Sequence, residues 1–264
     1  MDYAKLIYEK LDGVATITLN RPDRSNAFDD QMTRELIDAL KQVEGDAEVR
    51  CVVLTGVGKN FSAGQDLGAI KERYDHAEGV GFREHLQKGY HQIVTRIRSI
   101  EKPFIAAVNG AAAGAGLGIA CACDLRHASE NSRFRSAFIG IGLAPDSAVS
   151  FLLPRIVGFG RALEMALTNE PIDAQTALAY GLVNRVFPTD QMMPRTIEFA
   201  KELAQAPTRG IGLTKRAFNR SLYASLEEAL DYEAHIQEIA GRTGDHREGV
   251  KAFVEKRAPR YAGK

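Results

Sequence analysis

Asn109-Gly110-Ala111-Ala112-Ala113-Gly114-Ala115-Gly116 is the stretch on which the reading of this chain turns. It follows Phe104-Ile105-Ala106-Ala107-Val108, a short apolar run that reads as a strand once Pro103 has stopped the helix before it. Residues 109–113 then read as a loop and residues 114–122 as a helix. The first turn of such a helix presents unpaired N–H groups carrying partial positive charge. Small residues let a ligand approach that backbone closely. The run 104–123 has no charged residue and is long enough to span a bilayer, but Asn109 and the glycines at 110, 114, 116 and 118 favour a buried strand, turn and helix.

Working outward, a second loop of the same kind is Phe61-Ser62-Ala63-Gly64-Gln65-Asp66-Leu67, after an apolar strand at 51–55. Taken alone, either loop is an ordinary tight turn with packing glycines. If the two loops converge, their N–H groups would form an oxyanion hole. Upstream, residues 7–9 and 15–19 read as strands joined by an Asp12-Gly13 hairpin turn. Phe28, Met32, Leu36, Leu40 and Val43 recur every three or four residues, marking an amphipathic helix capped by Asp29 or Asp30. Phe82, Leu86, Tyr90, Ile93, Ile97 and Ile100 mark a second long helix, and residues 125–128 a further strand. The alternation predicts an α/β fold. Past Pro188 only helices are expected, over 189–205, 208–222, 226–240 and 245–256. The expected division is therefore a core over 1–188 and a helical, oligomerising region over 189–264.

Composition narrows the function. The chain has 264 residues, 45% of them hydrophobic, enough for a large core. Its 34 basic and 34 acidic residues cancel, which argues against a nucleic-acid surface. Cys51, Cys121 and Cys123 are odd in number and lack the spacing of a disulfide framework or zinc site, so a reducing cytoplasm is expected. The N-terminal residues are too polar for a signal peptide, and no membrane partner is expected. Gly58-Lys59-Asn60 is no Walker A loop, Gly114-Ala115-Gly116-Leu117-Gly118 does not fit a dinucleotide fingerprint, the six histidines make no metal-binding pair, and no serine-hydrolase elbow is present.

The two loops, with Asn20-Arg21-Pro22, Asn26-Ala27, Gly181-Leu182-Val183 and Glu248-Gly249-Val250-Lys251-Ala252-Phe253-Val254-Glu255-Lys256-Arg257, resemble the crotonase superfamily of enoyl-CoA hydratases and isomerases, nearly end to end. The resemblance implies a spiral of ββα turns with a C-terminal helical trimerisation region. It places a thioester oxygen between the backbone N–H groups of Gln65 and Ala115, next to Gly64 and Gly114. It assigns the CoA pocket to Arg24, Ala63, Asp66 and Leu67, and brings Phe253 and Lys256 to the CoA of a neighbouring subunit in a trimer or a dimer of trimers. The acyl-CoA is the substrate, and no separate cofactor is implied. Arg24 and Lys256 also fit the plainer description of solvated surface charges.

The two glutamates that hold water in hydratases of this superfamily fall on Gly118 and Phe138. Adding water across a double bond needs acid–base work at both ends, so ordinary hydration is disfavoured. Asp146, in Ile141-Gly142-Leu143-Ala144-Pro145-Asp146-Ser147, is the remaining carboxylate. It reads either as the N-cap of a helix over 147–157 or as an acid/base in a pocket walled by residues 138–143 and 70–80. In Gly114-Ala115-Gly116, the segment 62–67, Pro145-Asp146, Phe151-Leu152-Leu153-Pro154-Arg155 and the tail from Ala240 to Lys264, the chain resembles ring-1,2-epoxyphenylacetyl-CoA isomerases, which lack both glutamates, in which one aspartate shifts a proton, and which also isomerise 3-enoyl-CoA to 2-enoyl-CoA. His91, Gly118, Asp146 and residues 150–158 are also similar to 4-chlorobenzoyl-CoA dehalogenases, where aspartate attacks the ring and histidine activates water. Phe138 and Gln65 depart from that pattern, standing where those enzymes have tryptophan and phenylalanine. His91 also fits a histidine at the flank of its helix stripe. A crotonase-fold protein that binds CoA or RNA without catalysis is the remaining alternative, weakened by the zero net charge and by Asp146.

Overall fold

A computed structural model describes residues 2–68, 70–71 and 81–264. Strands β1 (Leu6–Leu11) and β2 (Val14–Leu19) form a hairpin. Its turn residues Asp12 and Gly13 have φ of 51° and 78°, the left-handed pair that lets a two-residue turn follow the strand twist. From β2 the sheet grows in parallel through β3 (Cys51–Gly56), β4 (Phe104–Val108), β6 (Leu125–Ser129) and β9 (Arg185–Phe187). The order is β1-β2-β3-β4-β6-β9. A smaller sheet contains β5 (Ala111–Ala113), β7 (Arg133–Arg135) and β8 (Ile172–Asp173). Residues 111–113, expected as loop, are thus a strand, because their backbone pairs in parallel with β7.

The helices are α1 (Asp30–Gly45), α2 (Phe82–Lys88), α3 (Tyr90–Ser99), α4 (Ala115–Ala122), α5 (Val149–Val157), α6 (Phe159–Thr168), α7 (Ala174–Ala179), α8 (Thr189–Gln205), α9 (Thr208–Ser221), α10 (Leu226–Gly241) and α11 (Gly244–Val254). Asp29 is the cap of α1, its carboxylate accepting from Met32 N at 2.8 Å. The long helix expected over residues 82–100 is interrupted at Gly89, whose backbone (φ −111°, ψ −97°) is not helical. A Cβ there would meet His85 O and the Thr33 methyl at 3.0 Å, so α1 approaches too closely for a larger residue.

Both faces of the central parallel strands β3 and β4 are buried, as a parallel sheet requires. Alternation along β4 shows how. Phe104, Ala106 and Val108 join the cluster containing Met32, Leu36, Ile93 and Leu117. Ile105 and Ala107 face Met192, Ala200 and Ala204 of α8. Helix α8 therefore covers the sheet, and the boundary drawn at 188/189 cuts through this packing. The later helices are tied on by polar contacts. Lys215 of α9, buried, reaches Asp124 at 2.8 Å and Ile97 O at 2.6 Å. Arg50 holds Thr208, Ala206 O and Tyr261 O. The uncharged run at 104–123 is divided among β4, β5 and α4, and no helix among the described residues is long and apolar enough to cross a membrane.

Candidate active site

The site starts where the two glycine-bearing loops meet. Ser62 N donates to Ala111 O at 3.0 Å, and Ala113 N donates to Ser62 O at 2.9 Å, closing a short parallel bridge. Asn26, fully buried, supports it by donating to Asn60 O (2.7 Å) and Val57 O (3.0 Å). Gly64 has φ +89°, and a Cβ on it would stand 2.8 Å from Ala113 O and 3.1 Å from Ala115 N. Only glycine brings the loops this close.

Two amides are left over. Phe28 N donates to Gly64 O (2.7 Å) and Asp66 N to Phe28 O (2.9 Å), a bridge that uses the groups on either side of Gln65 and leaves the Gln65 N–H on the opposite edge. Ala115 is the first residue of α4, so its N–H has no acceptor within the helix. Among the described residues neither N–H donates a hydrogen bond, and both residues line one cavity of about 100 Å³. Ala63, Leu67, Gly114, Phe138 and Asp146 line it too.

Asp146 is not a helix cap. Helix α5 begins at Val149, with Ala148 as its N-cap and no side-chain capping bond. Ser147 and Ala148 adopt φ of 49° and 64°, left-handed conformations costly for residues bearing a Cβ. The turn directs the Asp146 carboxyl into the cavity instead, where Ser147 Oγ donates to it at 2.7 Å. Burial pushes the Asp146 pKa up, against the Ser147 hydrogen bond and the nearby His85 and His91, which pull it down.

Position 118 has no room for a side chain. A Cβ on Gly118 would collide with Ser147 O and stand 2.8 Å from Ser147 Cβ. The turn that carries Asp146 fills the space. Phe138, the other position aligned with a hydratase glutamate, is 6% exposed and forms an apolar wall with Ile141 and Leu143.

Sequence reasoning missed the polar cluster opposite. Gln65 Oε1 accepts from Tyr90 OH at 2.7 Å and lies 2.9 Å from His85 Nε2. Burial first, then the charge of Asp146, holds the Tyr90 phenol protonated far above neutrality. His91 is exposed and outside the cavity lining; the histidine that lines it is His85. The interruption at Gly89 separates α2 from α3, so the stripe read as one helix does not give the facing of His85 and His91. Gly89 itself was the available signal.

Arg24 is exposed at the end of a 3-10 turn, Pro22–Arg24, and Ala63 N donates to the neighbouring Ser25 O at 2.9 Å. Asp66 pairs with Arg21 at 2.9 Å. Leu67 is 47% exposed at the cavity rim. Phe253 is 84% exposed, and with Lys256, also exposed, it lies outside the cavity lining. Of the expected wall at 70–80, Ile70 lines the cavity, Lys71 is exposed, and residues 72–80 lie outside the described residues.

Among the described residues, an α/β core in which two unpaired amides and one carboxylate line a mostly apolar cavity has the arrangement of the crotonase class. The chain belongs to the enoyl-CoA hydratase/isomerase family, which it matches over residues 9–264. It is 41% identical to the 1,2-epoxyphenylacetyl-CoA isomerase of Escherichia coli over 253 residues, 96% of each chain. It is 39% identical to 4-chlorobenzoyl coenzyme A dehalogenase-1 of Arthrobacter over 239 residues, covering 89% of this chain and 84% of that one. The crystal structure of an enoyl-CoA hydratase/isomerase from Cupriavidus metallidurans superposes with a TM-score of 0.92 at 32% identity, covering 100% of this chain and 98% of that one.

Proposed function

We propose that the protein is a cytosolic acyl-CoA isomerase that moves a proton along the acyl chain with Asp146 as its single acid/base. The observation that carries this reading is the pairing of Asp146 with a filled position 118. Among the described cavity residues Asp146 is the one carboxylate, and Ser147 occupies the space a second would need. The Gln65 and Ala115 amides hold the thioester oxygen. Asp146 removes the α-proton, the electron pair moves onto that oxygen as a dienolate, and the protonated Asp146 returns the proton to the γ-carbon. A raised pKa suits a group that must both take and give a proton. The class converts 3-enoyl-CoA to 2-enoyl-CoA, and the likeness to the Escherichia coli enzyme extends it to ring-1,2-epoxyphenylacetyl-CoA.

A dehalogenase reaction needs a water-activating histidine; His91, the residue in that position of the sequence, is not in the cavity lining, and His85, which lines the cavity, is engaged with Gln65 Oε1 at 2.9 Å. Arg24, Ala63, Asp66 and Leu67 form the CoA-binding rim in this proposal, and Phe253 and Lys256 complete a neighbour's site in the trimer. The first test is the ultraviolet change on adding the protein to a 3-enoyl-CoA. Conjugation of the double bond with the thioester raises the absorbance, and no change at any protein concentration rejects the proposal.

A further inference from the structure

We propose that the Gln65 side chain is a recognition element for an oxygen atom on the acyl group, so that the preferred thioesters carry a hydrogen-bond acceptor beyond the thioester carbonyl. This deepens the isomerase reading and rests on it for the identity of the cavity. The recognising group is the side-chain amide, whereas the Gln65 backbone N–H serves the thioester oxygen.

The orientation of the amide is decided by its neighbours. Tyr90 is 1% exposed, and among the described residues its hydroxyl proton has one acceptor, Gln65 Oε1, at 2.7 Å. Reversing the amide would strand that buried proton, the costlier arrangement. His85 Nε2, at 2.9 Å, holds the same oxygen from a second side. With Oε1 fixed, the amide NH2 is presented away from Tyr90. It has no acceptor among the described residues, it is not among their fully buried unpaired groups, and the open space Gln65 lines is the acyl cavity. Leu67, Leu86, Phe138 and Leu143 make most of the remaining wall apolar. An alkyl group filling that space would strip water from the NH2 and give nothing back. An epoxide, ether, hydroxyl or carbonyl oxygen would replace the water.

The test uses two inert thioesters of nearly equal shape, (2-methoxyphenyl)acetyl-CoA and (2-ethylphenyl)acetyl-CoA, as ligands of the full-length protein. They differ by an oxygen in place of a methylene. The wild type is expected to bind the methoxy compound about tenfold to a hundredfold more tightly. Gln65→Met, which removes the donors, is expected to abolish the preference. Gln65→Glu keeps an oxygen for Tyr90 and His85, so it guards against a folding defect, and it is expected to reverse the preference. Equal binding of the pair by the wild type, or a preference that survives in Gln65→Met, overturns the proposal. Isomerisation of 3-hexenoyl-CoA by the same wild-type preparation tests the proton-shift reading separately, since either result can fail while the other stands.

Discussion

Ser147 Oγ donates a 2.7 Å hydrogen bond to the Asp146 carboxylate, while Ser147 Cβ stands 2.8 Å from the point where a Cβ on Gly118 would lie. One buried residue thus holds the Asp146 carboxylate and fills the space beside Gly118. It does so from a left-handed backbone conformation, φ 49°, that favours glycine. The strain at Ser147 and Ala148 accompanies a turn that lifts Asp146 off the helix end, where the dipole would have favoured its ionised form.

Removing the hydroxyl is therefore expected to shift the titration of Asp146. The Ser147 bond favours the charged carboxylate, so Ser147→Ala is expected to raise the Asp146 pKa further and move the acidic limb of the kcat/KM profile to higher pH. A profile that keeps its limb, with kcat merely scaled down, would assign Ser147 a packing role alone.

Asp146→Asn is expected to lose about 10²–10⁴ in turnover while CoA binding persists. Its stability should move the other way. Burial raises the folded pKa of Asp146 above its unfolded value, so the folded state binds more protons between those two values. Stability contributed by this group falls as pH rises through that window and stays reduced at neutrality. The variant should melt higher than wild type at pH 7, with the difference vanishing in acid. Thermal melts at both pH values check the sign.

Writing the missing glutamate back should not make a hydratase. Gly118→Glu drives a Cβ into the Ser147 turn, at an expected cost of about 1–3 kcal/mol from overpacking. It should lower the denaturation midpoint and displace Asp146, reducing isomerisation without adding hydration. Gain of hydratase activity with unchanged stability would contradict this packing of Gly118 against Ser147.

Much of the fold was legible because period and punctuation agreed. Met32, Leu36 and Leu40 marked α1, Asp12-Gly13 the hairpin, and the apolar runs at 51–55 and 104–108 the central strands. What was illegible was non-local. The pairing of residues 111–113 with β7 depends on a partner more than 20 residues away, and the role of α8 depends on which sheet face lacks cover. Asp146 read from the sequence as either a helix cap or a pocket carboxylate, and the choice was hidden because positive φ at Ser147 and Ala148 has no signature in residues that bear a Cβ. The Gln65–His85–Tyr90 cluster was hidden because Gly89 resets the helix between His85 and Tyr90.

Assembly is expected to follow from surfaces this chain leaves uncovered. Phe253 (84% exposed), Leu226 (75%) and Leu230 (55%) are large apolar side chains on the C-terminal helices. Light scattering coupled to size exclusion should give the mass of three chains or six. Phe253→Ser and Lys256→Ala should weaken CoA binding at sites they do not touch within their own subunit. A monomer that binds CoA normally, unaffected by either substitution, would make both residues ordinary surface.

Whether one carboxylate shifts a proton without adding water is decided by offering the purified protein 3-hexenoyl-CoA and crotonyl-CoA side by side. One assay follows migration of the double bond and the other loss of the conjugated thioester to hydration. The expected result is clear isomerisation of the first, abolished in Asp146→Asn, and hydration of the second slower by about 10² or more, the contribution expected of a missing acid/base group. Hydration at a rate comparable to isomerisation, or isomerisation that survives in Asp146→Asn, would contradict it.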